Sequence, residues 1–257
     1  MNLNLREILF RTWYWYVNKA DKNAEIVFMN YGFGGKEHHI PLEDHHEPNR
    51  YSIQLYHHLA DQVEIKNKNI VEIGCGRGGG LSYINRKFSP ASAKGIDLVN
   101  KAVTFCNRYH KHERLTFAQG DAQNLNLENN TCDVVINVES SHRYPSMSSF
   151  LKEVNRILRP NGHFLFTDFR YDHEMDHLKR EIEMSGMSVL KERYINHEVV
   201  EALKLDDERK RRLVKKLAPK FLHKTALNFA GTVGSETYNL FANQKYIYFS
   251  YILKKTI

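Results

Sequence analysis

Residues 71–80 read Val71-Glu72-Ile73-Gly74-Cys75-Gly76-Arg77-Gly78-Gly79-Gly80, an apolar run that ends in closely spaced glycines and opens into a helical pattern. That order is a strand, a tight turn and a helix N-terminus, and such a turn is expected to hold a ligand through backbone N–H groups. Gly74, Gly76 and Gly79 satisfy the dinucleotide fingerprint literally, so glycine spacing alone does not separate a pyrophosphate from another adenosine cofactor. Glu72 separates them, because a carboxylate two residues before the first glycine repels a pyrophosphate and attracts a cation. S-adenosylmethionine carries an ammonium and a sulfonium and no phosphate, which suits an acid beside the turn.

Downstream the sequence alternates. A helical pattern over 81–88 leads to a strand over 93–98 carrying Asp97, a helix over 100–110, and a strand over 115–119 followed by Gly120-Asp121-Ala122. A buried strand over 132–138, a helix over 148–158 and a strand over 163–168 follow. Strands alternating with helices of this length predict an α/β fold with a parallel sheet and helices on both faces. Ligands in such a sheet lie beyond the carboxyl ends of the strands. Glu72, Asp97, Asp121, Glu139 and Asp168 stand at or just after those ends, a rim that reads as a cofactor and substrate mouth. Two more strands are expected over 188–195 and 245–253, and the long segment between them must carry helices of its own; it reads as a lid over the rim.

Upstream, 50–62 is expected to be helical, with Ile53, Tyr56, Leu59, Ala60 and Val63 on one face. Gly32, Gly34, Gly35, Pro41 and Pro48 mark 30–50 as loop. The aromatic run Trp13-Tyr14-Trp15-Tyr16 fits a core-facing helix, an arm against the core or a contact with another subunit. The expected organisation is one domain: an N-terminal helical cap over 1–62, a cofactor-binding core over 63–195, a helical lid over 196–244 and a last strand over 245–257.

The 257 residues, 42% hydrophobic and 12% aromatic, suffice for a packed core. The chain holds no long apolar window and its opening residues lack the core of a secretion signal, so the cytoplasm is the expected compartment. Cys75, Cys106 and Cys132 are far apart and without metal spacing, which predicts reduced thiols. Residues His38, His39, Asp44, His45, His46 and Glu47 are adjacent rather than spaced to converge, and no metal site is expected from them. Much of the net charge of +7 falls in 204–224, where Arg209-Lys210-Arg211-Arg212 and five further lysines alternate with Leu213, Val214, Leu217 and Phe221. A helix with those two faces would suit an anionic membrane surface. Asp206, Asp207 and Glu208 favour a solvated helix face instead.

Asp97 follows Gly74 by the distance that places an acid beside a ribose diol at the end of the second strand. Asp121 is placed to accept from an adenine amine whose faces Leu98 and Ala122 cover. Both acids also fit a plainer role as turn residues. The motifs Glu72-Ile73-Gly74-Cys75-Gly76-Arg77-Gly78, Gly95-Ile96-Asp97-Leu98, Gly120-Asp121-Ala122 and Leu158-Arg159-Pro160-Asn161-Gly162 stand in the order and spacing of the class I S-adenosylmethionine-dependent methyltransferases, which the chain resembles over roughly 65–170. Asn161 stands where that family often has glycine, and a turn tolerates Asn. The resemblance implies a Rossmann-like sheet of seven mostly parallel strands ending in an antiparallel hairpin, with S-adenosylmethionine as cofactor and S-adenosylhomocysteine as product. The cofactor-binding set it implies is Glu72, Gly74, Cys75, Gly76, Asp97, Leu98, Asp121, Ala122 and Asn137.

A narrower resemblance runs nearly end to end. Glu25-Ile26-Val27-Phe28-Met29-Asn30, Glu47-Pro48-Asn49-Arg50, Gly78-Gly79-Gly80, the stretch 137–145 around Ser140-Ser141-His142-Arg143-Tyr144-Pro145, and 164–170 are similar to the phthiotriol and phenolphthiotriol dimycocerosate methyltransferases. Those enzymes O-methylate a hydroxyl on a long-chain lipid; residues 196–244 match them least well. A hydroxyl is a poor nucleophile at neutral pH, so transfer gains from a base, and His142 is the expected one. Asp168, at the end of the neighbouring strand, is expected to orient it. Antibiotic-sugar O-methyltransferases, which the chain also resembles here, carry His and Asp at these places. The plainer alternative for His142 is a loop histidine bonded to backbone.

The expected function is therefore O-methylation of a lipid, polyketide or similar apolar molecule. Carbon methylation or cyclopropanation of a lipid alkene, and cofactor binding without methyl transfer, are the alternatives. A nucleic-acid acceptor is disfavoured, because Asn137-Val138-Glu139-Ser140 replaces the Asn/Asp-Pro-Pro-aromatic cluster that grips a flipped base.

Overall fold

The computed structural model describes Asp21 and residues 24–256; the aromatic run at 13–16 lies outside the described residues. Strand β1 (Asn69–Ile73) is buried along nearly its whole length, as a central parallel strand with both faces covered must be. It pairs in parallel with β2 (Ser92–Asp97) and β4 (Cys132–Val138). Strand β3 (Leu115–Gln119) extends the sheet beyond β2, and β5 (Leu158–Tyr171) extends it beyond β4. The last strand β7 (Tyr246–Lys255) lies antiparallel between β5 and β6 (Met187–Tyr194), completing the order β3-β2-β1-β4-β5-β7-β6. The seven-stranded, mostly parallel sheet with an antiparallel closing pair is the one expected.

Helices α1 (Arg50–Ala60), α2 (Gly79–Phe88), α3 (Asn100–Tyr109), α4 (Met147–Ile157) and α5 (Met175–Glu183) cover the sheet. Alternate strand residues feed opposite layers. Ile70, Val134 and Ile136 pack with Ile53, Leu81 and Ile84, whereas Val71, Ile73 and Val135 pack with Phe150, Val154 and Ile182. The Ser146 hydroxyl caps α4 by accepting from the Ser149 N–H at 3.1 Å. The buried stripe Phe150, Leu151, Val154 and Ile157 then faces the sheet.

One expectation is corrected and one element is added. Strand β5 starts at Leu158 rather than at 163, because the turn around Asn161 is a bulge within it: Asn161 takes φ +66 and the pairing with β4 shifts register between Cys132 and Val134. Helix α5 was not foreseen. As the loop reading of 30–50 expects, the segment before the first α-helix is mostly extended, with short 3₁₀ turns at Lys36–His38 and Asp44–Asn49, and the described part of the cap is helical from Arg50. Its glycines explain why: a Cβ on Gly34 would lie 2.6 Å from the Ala202 nitrogen, and the Gly34 N–H donates to the Glu198 carbonyl at 2.9 Å. That close approach stitches the cap to the connection between β6 and β7, which carries α6 (Asn196–Leu205), α7 (Asp207–Leu217), α8 (His223–Phe229) and α9 (Glu236–Ala242).

Gly80 is required for the seating of α2 under α1. A Cβ there would fall 1.9 Å from the Tyr56 ring, and that ring is held by its hydroxyl bond to Glu72. Gly80→Ala is expected to lower unfolding free energy by about 1–3 kcal/mol, the usual range for an overpacked core, in urea denaturation followed by circular dichroism. An unchanged midpoint would disprove the close contact.

Candidate active site

The glycine turn differs from the expectation in one decisive respect: its N–H groups are committed within the protein. Those of Gly74 and Cys75 donate to the Ile96 carbonyl, that of Gly78 to the Cys75 carbonyl, and that of Gly79 to the Val27 carbonyl. The Gly76 N–H donates to Asp97 Oδ2 at 2.8 Å. Arg77 pairs with Asp21 at 2.9 Å and lies 3.7 Å over the Phe105 ring, so this cation too is engaged. A pyrophosphate would need donors that this turn has already used. A ligand presenting donors and positive charge does not.

A cavity of 2080 Å³ opens beyond the carboxyl ends of β1, β2, β4 and β5. Ordinary small-molecule pockets occupy about 300–1,000 Å³, so this one has room for a cofactor and a second molecule. Gly74, Cys75, Gly76, Asp97, Leu98, Asp121, Ala122, His142 and Arg143 line it. Leu98 is 58% exposed, an apolar side chain presented to a ligand rather than to the core. Asp97 is nearly buried; its Oδ1 accepts from the Val99 N–H at 2.9 Å, and burial pushes its carboxyl up against the pull of that bond and of Gly76. Asp121 closes an Asx turn on the Gln123 N–H at 2.9 Å, so its turn role is real, yet it also faces the cavity.

Glu72 and Asn137 are not among the cavity-lining residues. Glu72 is fully buried and turned toward α1, where it accepts from the Tyr56 hydroxyl at 2.7 Å. Burial outweighs that bond, Asp97 adds to the rise, and its pKa is pushed up to about 8, so at neutral pH it is mostly uncharged. The expectation that Glu72 supplies negative charge to the ligand is corrected: the charge at the turn is that of Asp97. Asn137 donates through Nδ2 to the Ile73 carbonyl at 2.8 Å, to Ser140 Oγ at 2.8 Å and to the Tyr144 hydroxyl at 3.1 Å. It fixes the wall against Gly74, whose absent Cβ would stand 2.2 Å from Ser140 Oγ.

His142 and Asp168 do meet. His142 Nδ1 lies 2.7 Å from Asp168 Oδ1, and its backbone N–H donates to Oδ2 at 3.0 Å. The Ser141 hydroxyl donates to the same Oδ2 at 2.6 Å, and Arg170 lies 3.3 Å away. Burial alone would raise the Asp168 carboxyl; His142, Arg170 and Ser141 outweigh it and hold the group well below the usual carboxylate range. Arg143 Nε approaches His142 Nε2 at 3.0 Å. A guanidinium has no acceptor, so Nε2 must accept and the ring proton sits on Nδ1, facing Asp168. Burial is the main reason the imidazole is shifted below its ordinary value, helped by Arg143 and Arg170 and opposed by Asp168. The ring is therefore neutral at neutral pH, with its lone pair toward the cavity.

Several neighbours had no assigned role in the sequence. Arg170 was findable, since it lies two residues after Asp168 and shares its strand face. Glu139, whose φ is +47, accepts through Oε1 from the Tyr31 N–H at 2.7 Å and from the Tyr248 hydroxyl. Burial pushes it up to about 8. Lys210 of α7 lines the same cavity, and nothing local in the sequence marks that lysine out from those around it. Glu43, His45 and His46 bring ligand atoms within 4.8 Å of one another, closer than their adjacency suggested, on a turn outside the cavity lining. Among the described residues no helix is long and apolar enough to cross a membrane.

An adenosine cofactor without phosphate, seated over a sheet of this order, defines the class of the S-adenosylmethionine-dependent methyltransferases. Residues 71–166 match the methyltransferase domain family. The chain is 40% identical over 223 residues to a fatty-acid O-methyltransferase of Mycolicibacterium smegmatis, covering 86% of this chain and 81% of that protein. It is 38% identical over 229 residues to a phthiotriol/phenolphthiotriol dimycocerosates methyltransferase of Mycobacterium tuberculosis, covering 89% and 85%. Geranyl diphosphate C-methyltransferase from Streptomyces coelicolor A3(2), solved with S-adenosyl-L-homocysteine, shares the fold with a TM-score of 0.66 at 14% identity over 94% of this chain and 98% of that one. The chain belongs to the S-adenosylmethionine-dependent methyltransferase family that contains these two mycobacterial enzymes.

The protonation of the His142 ring can be read directly. In ¹⁵N NMR at pH 7, Nδ1 is expected to carry the proton and Nε2 the lone pair. Arg143→Ala should raise the imidazole pKa and Asp168→Asn should lower it, because the cation opposes the charged ring and the carboxylate favours it. Shifts of the opposite sign would refute this arrangement.

Proposed function

We propose that the protein transfers a methyl group from S-adenosylmethionine to a hydroxyl oxygen of a lipid or similarly apolar small molecule, with His142 as general base. The observation that carries this reading is the neutral imidazole of His142, held through Nδ1 by the buried Asp168 and presenting Nε2 to the cavity. The two mycobacterial relatives are named for lipid substrates. The size of the cavity also suits a long acceptor beside the cofactor.

Bound cofactor supplies an electrophilic methyl on a sulfonium. Asp97 would hold its ribose, Leu98 and Ala122 the faces of its adenine, Asp121 the adenine amine, and the 74–76 turn its amino-acid end. Gly74 lets Ser140 and Tyr144 close against that turn, while Glu72 and Asn137 act from behind it. The acceptor hydroxyl takes the place of the Arg143 N–H at Nε2 and gives up its proton there. Asp168 stabilises the resulting imidazolium without accepting the proton itself. An O–H acceptor has a proton to lose as it attacks, which is the use for such a base; a carbon acceptor has none to lose before transfer.

Residues 204–224 are better read as a lid than as a membrane contact. Leu213, Val214 and Leu217 turn toward the cavity. Arg209 pairs with Asp206, Arg211 with Asp207 and Arg212 with Glu208, so much of the basic face is neutralised locally.

Replacing His142 with Ala should lower kcat by about 10²–10⁴-fold, the usual worth of a positioned base, while calorimetry shows S-adenosylmethionine binding unchanged. Asp97→Ala should abolish that binding. In the wild type, kcat should fall only as pH drops below about 6.5, the ordinary imidazole value, since the base form is the active one and burial shifts its pKa downward. Full activity of His142→Ala on a lipid alcohol would sink the assignment.

A further inference from the structure

Glu139 is the first residue beyond β4, the strand that lies between β1 and β5. Its neighbours tie it to both ends of the path that a methyl group would take. A Cβ on Gly74 would collide with Ser140 Oγ, so this stretch lies directly against the glycine turn. On the other side the Glu139 N–H donates to the Thr167 carbonyl at 2.9 Å, one residue before Asp168, the partner of His142. Between the turn and the imidazole, Glu139 lines the cavity. Its Oε1 is taken by the Tyr31 N–H and the Tyr248 hydroxyl, whereas among the described residues no hydrogen bond reaches Oε2. Oε2 is not enclosed, so a group entering the cavity can reach it.

The surroundings of this carboxyl hold it uncharged but close to ionising. Burial pushes it up to about 8, Asp168 of β5 adds to the rise, and the bonds from Tyr248 of β7 and Tyr31 of the cap, with Lys210 of α7, offset only part of it. Tyr56 of α1 is near enough to feel Glu139 and is itself uncharged, its phenol pushed well up by burial. Among the described residues no cation stands within ion-pair distance of Glu139, and Lys210 acts on it only from farther off. Glu72, the other acid raised to about 8, is turned toward α1 and does not line the cavity. A cation entering beside Oε2 would change the balance, because an opposite charge within about 4–6 Å lowers the pKa of a carboxyl by about 1–3.

We propose that Glu139 is the group that meets the sulfonium of the cofactor, uncharged in the free protein and ionised once that cation stands opposite Oε2. The carboxyl proton leaves to solvent as S-adenosylmethionine binds and returns when a neutral sulfur takes the place of the cation. The placement rests on the reading of the 74–76 turn and His142 as the two ends of the methyl's path, and it adds a discrimination to that reading. S-adenosylhomocysteine shares every group with the cofactor except the methyl and the charge on sulfur. A carboxyl that ionises only opposite that charge favours the cofactor over the product.

Calorimetric titration of the full chain at about pH 7 in phosphate, HEPES and Tris, buffers that differ in ionisation enthalpy, counts the protons exchanged with each ligand. No acceptor is needed, so failure here leaves the role of His142 to be decided by the kcat of His142→Ala. Binding of S-adenosylmethionine should release about 0.4–0.9 proton, the range that follows when a carboxyl at about 8 is lowered by about 1–3. Binding of S-adenosylhomocysteine should release almost none. Glu139→Gln, which keeps an oxygen acceptor for Tyr31 and Tyr248, should bind S-adenosylhomocysteine as the wild type does. It should lose the proton release with S-adenosylmethionine and bind that ligand about 2- to 100-fold more weakly. Equal proton counts for the two ligands in the wild type, or a release that survives in Glu139→Gln, would overturn the assignment. The first of these outcomes needs no variant and stands even if Glu139→Gln does not fold.

Discussion

The active centre depends on a buried carboxylate. Asp168 is completely enclosed, and an ionised group in that position is tolerable only when its oxygens are met by donors. The donors come from one short stretch and its neighbours: the Ser141 hydroxyl, the His142 N–H and ring, the Phe169 N–H and Arg170. The demand of that charge shapes the exit of β4, because Ser141 and His142 can both reach Asp168 only if the chain turns into the 3₁₀ segment Ser141–Arg143. The left-handed conformation of Glu139 just before it is part of the same turn. The His142 imidazole is thus positioned by the electrostatic need of its partner, and its tautomer follows from the same contacts.

Acids at the ends of adjacent strands behave differently here because their partners differ. Asp168 has a cation and several N–H and O–H donors and stays ionised. Glu72 has one tyrosine hydroxyl, and Glu139 has one hydroxyl and one N–H, and both are raised to about 8. Counting carboxylates on the rim therefore overstates its charge. Two of the acids that looked like ligand groups are neutral near pH 7. They act as hydrogen-bond acceptors for Tyr56 and Tyr248, tying α1 and β7 to the ends of β1 and β4.

The sheet was legible because period-two burial and glycine punctuation are local signals. β3 and β4 have the expected limits, and β1, β2 and α3 lie within a residue or two of theirs. The failures share one physical cause. Whether Asn161 ends a strand or bulges within it depends on the register of β4, which is a property of two chains of residues far apart in sequence. Which way Glu72 and Asn137 point depends on the pleat: in β1 the residues on either side of Glu72 pack into the opposite layer, so its side chain must leave toward α1. His142 and Asp168 could be paired from the sequence because adjacent parallel strands deliver their ends to one place. No such rule brings a helix of the β6–β7 connection to a given point of the rim, and Lys210 looks like any other lysine in a basic run until the helices are packed.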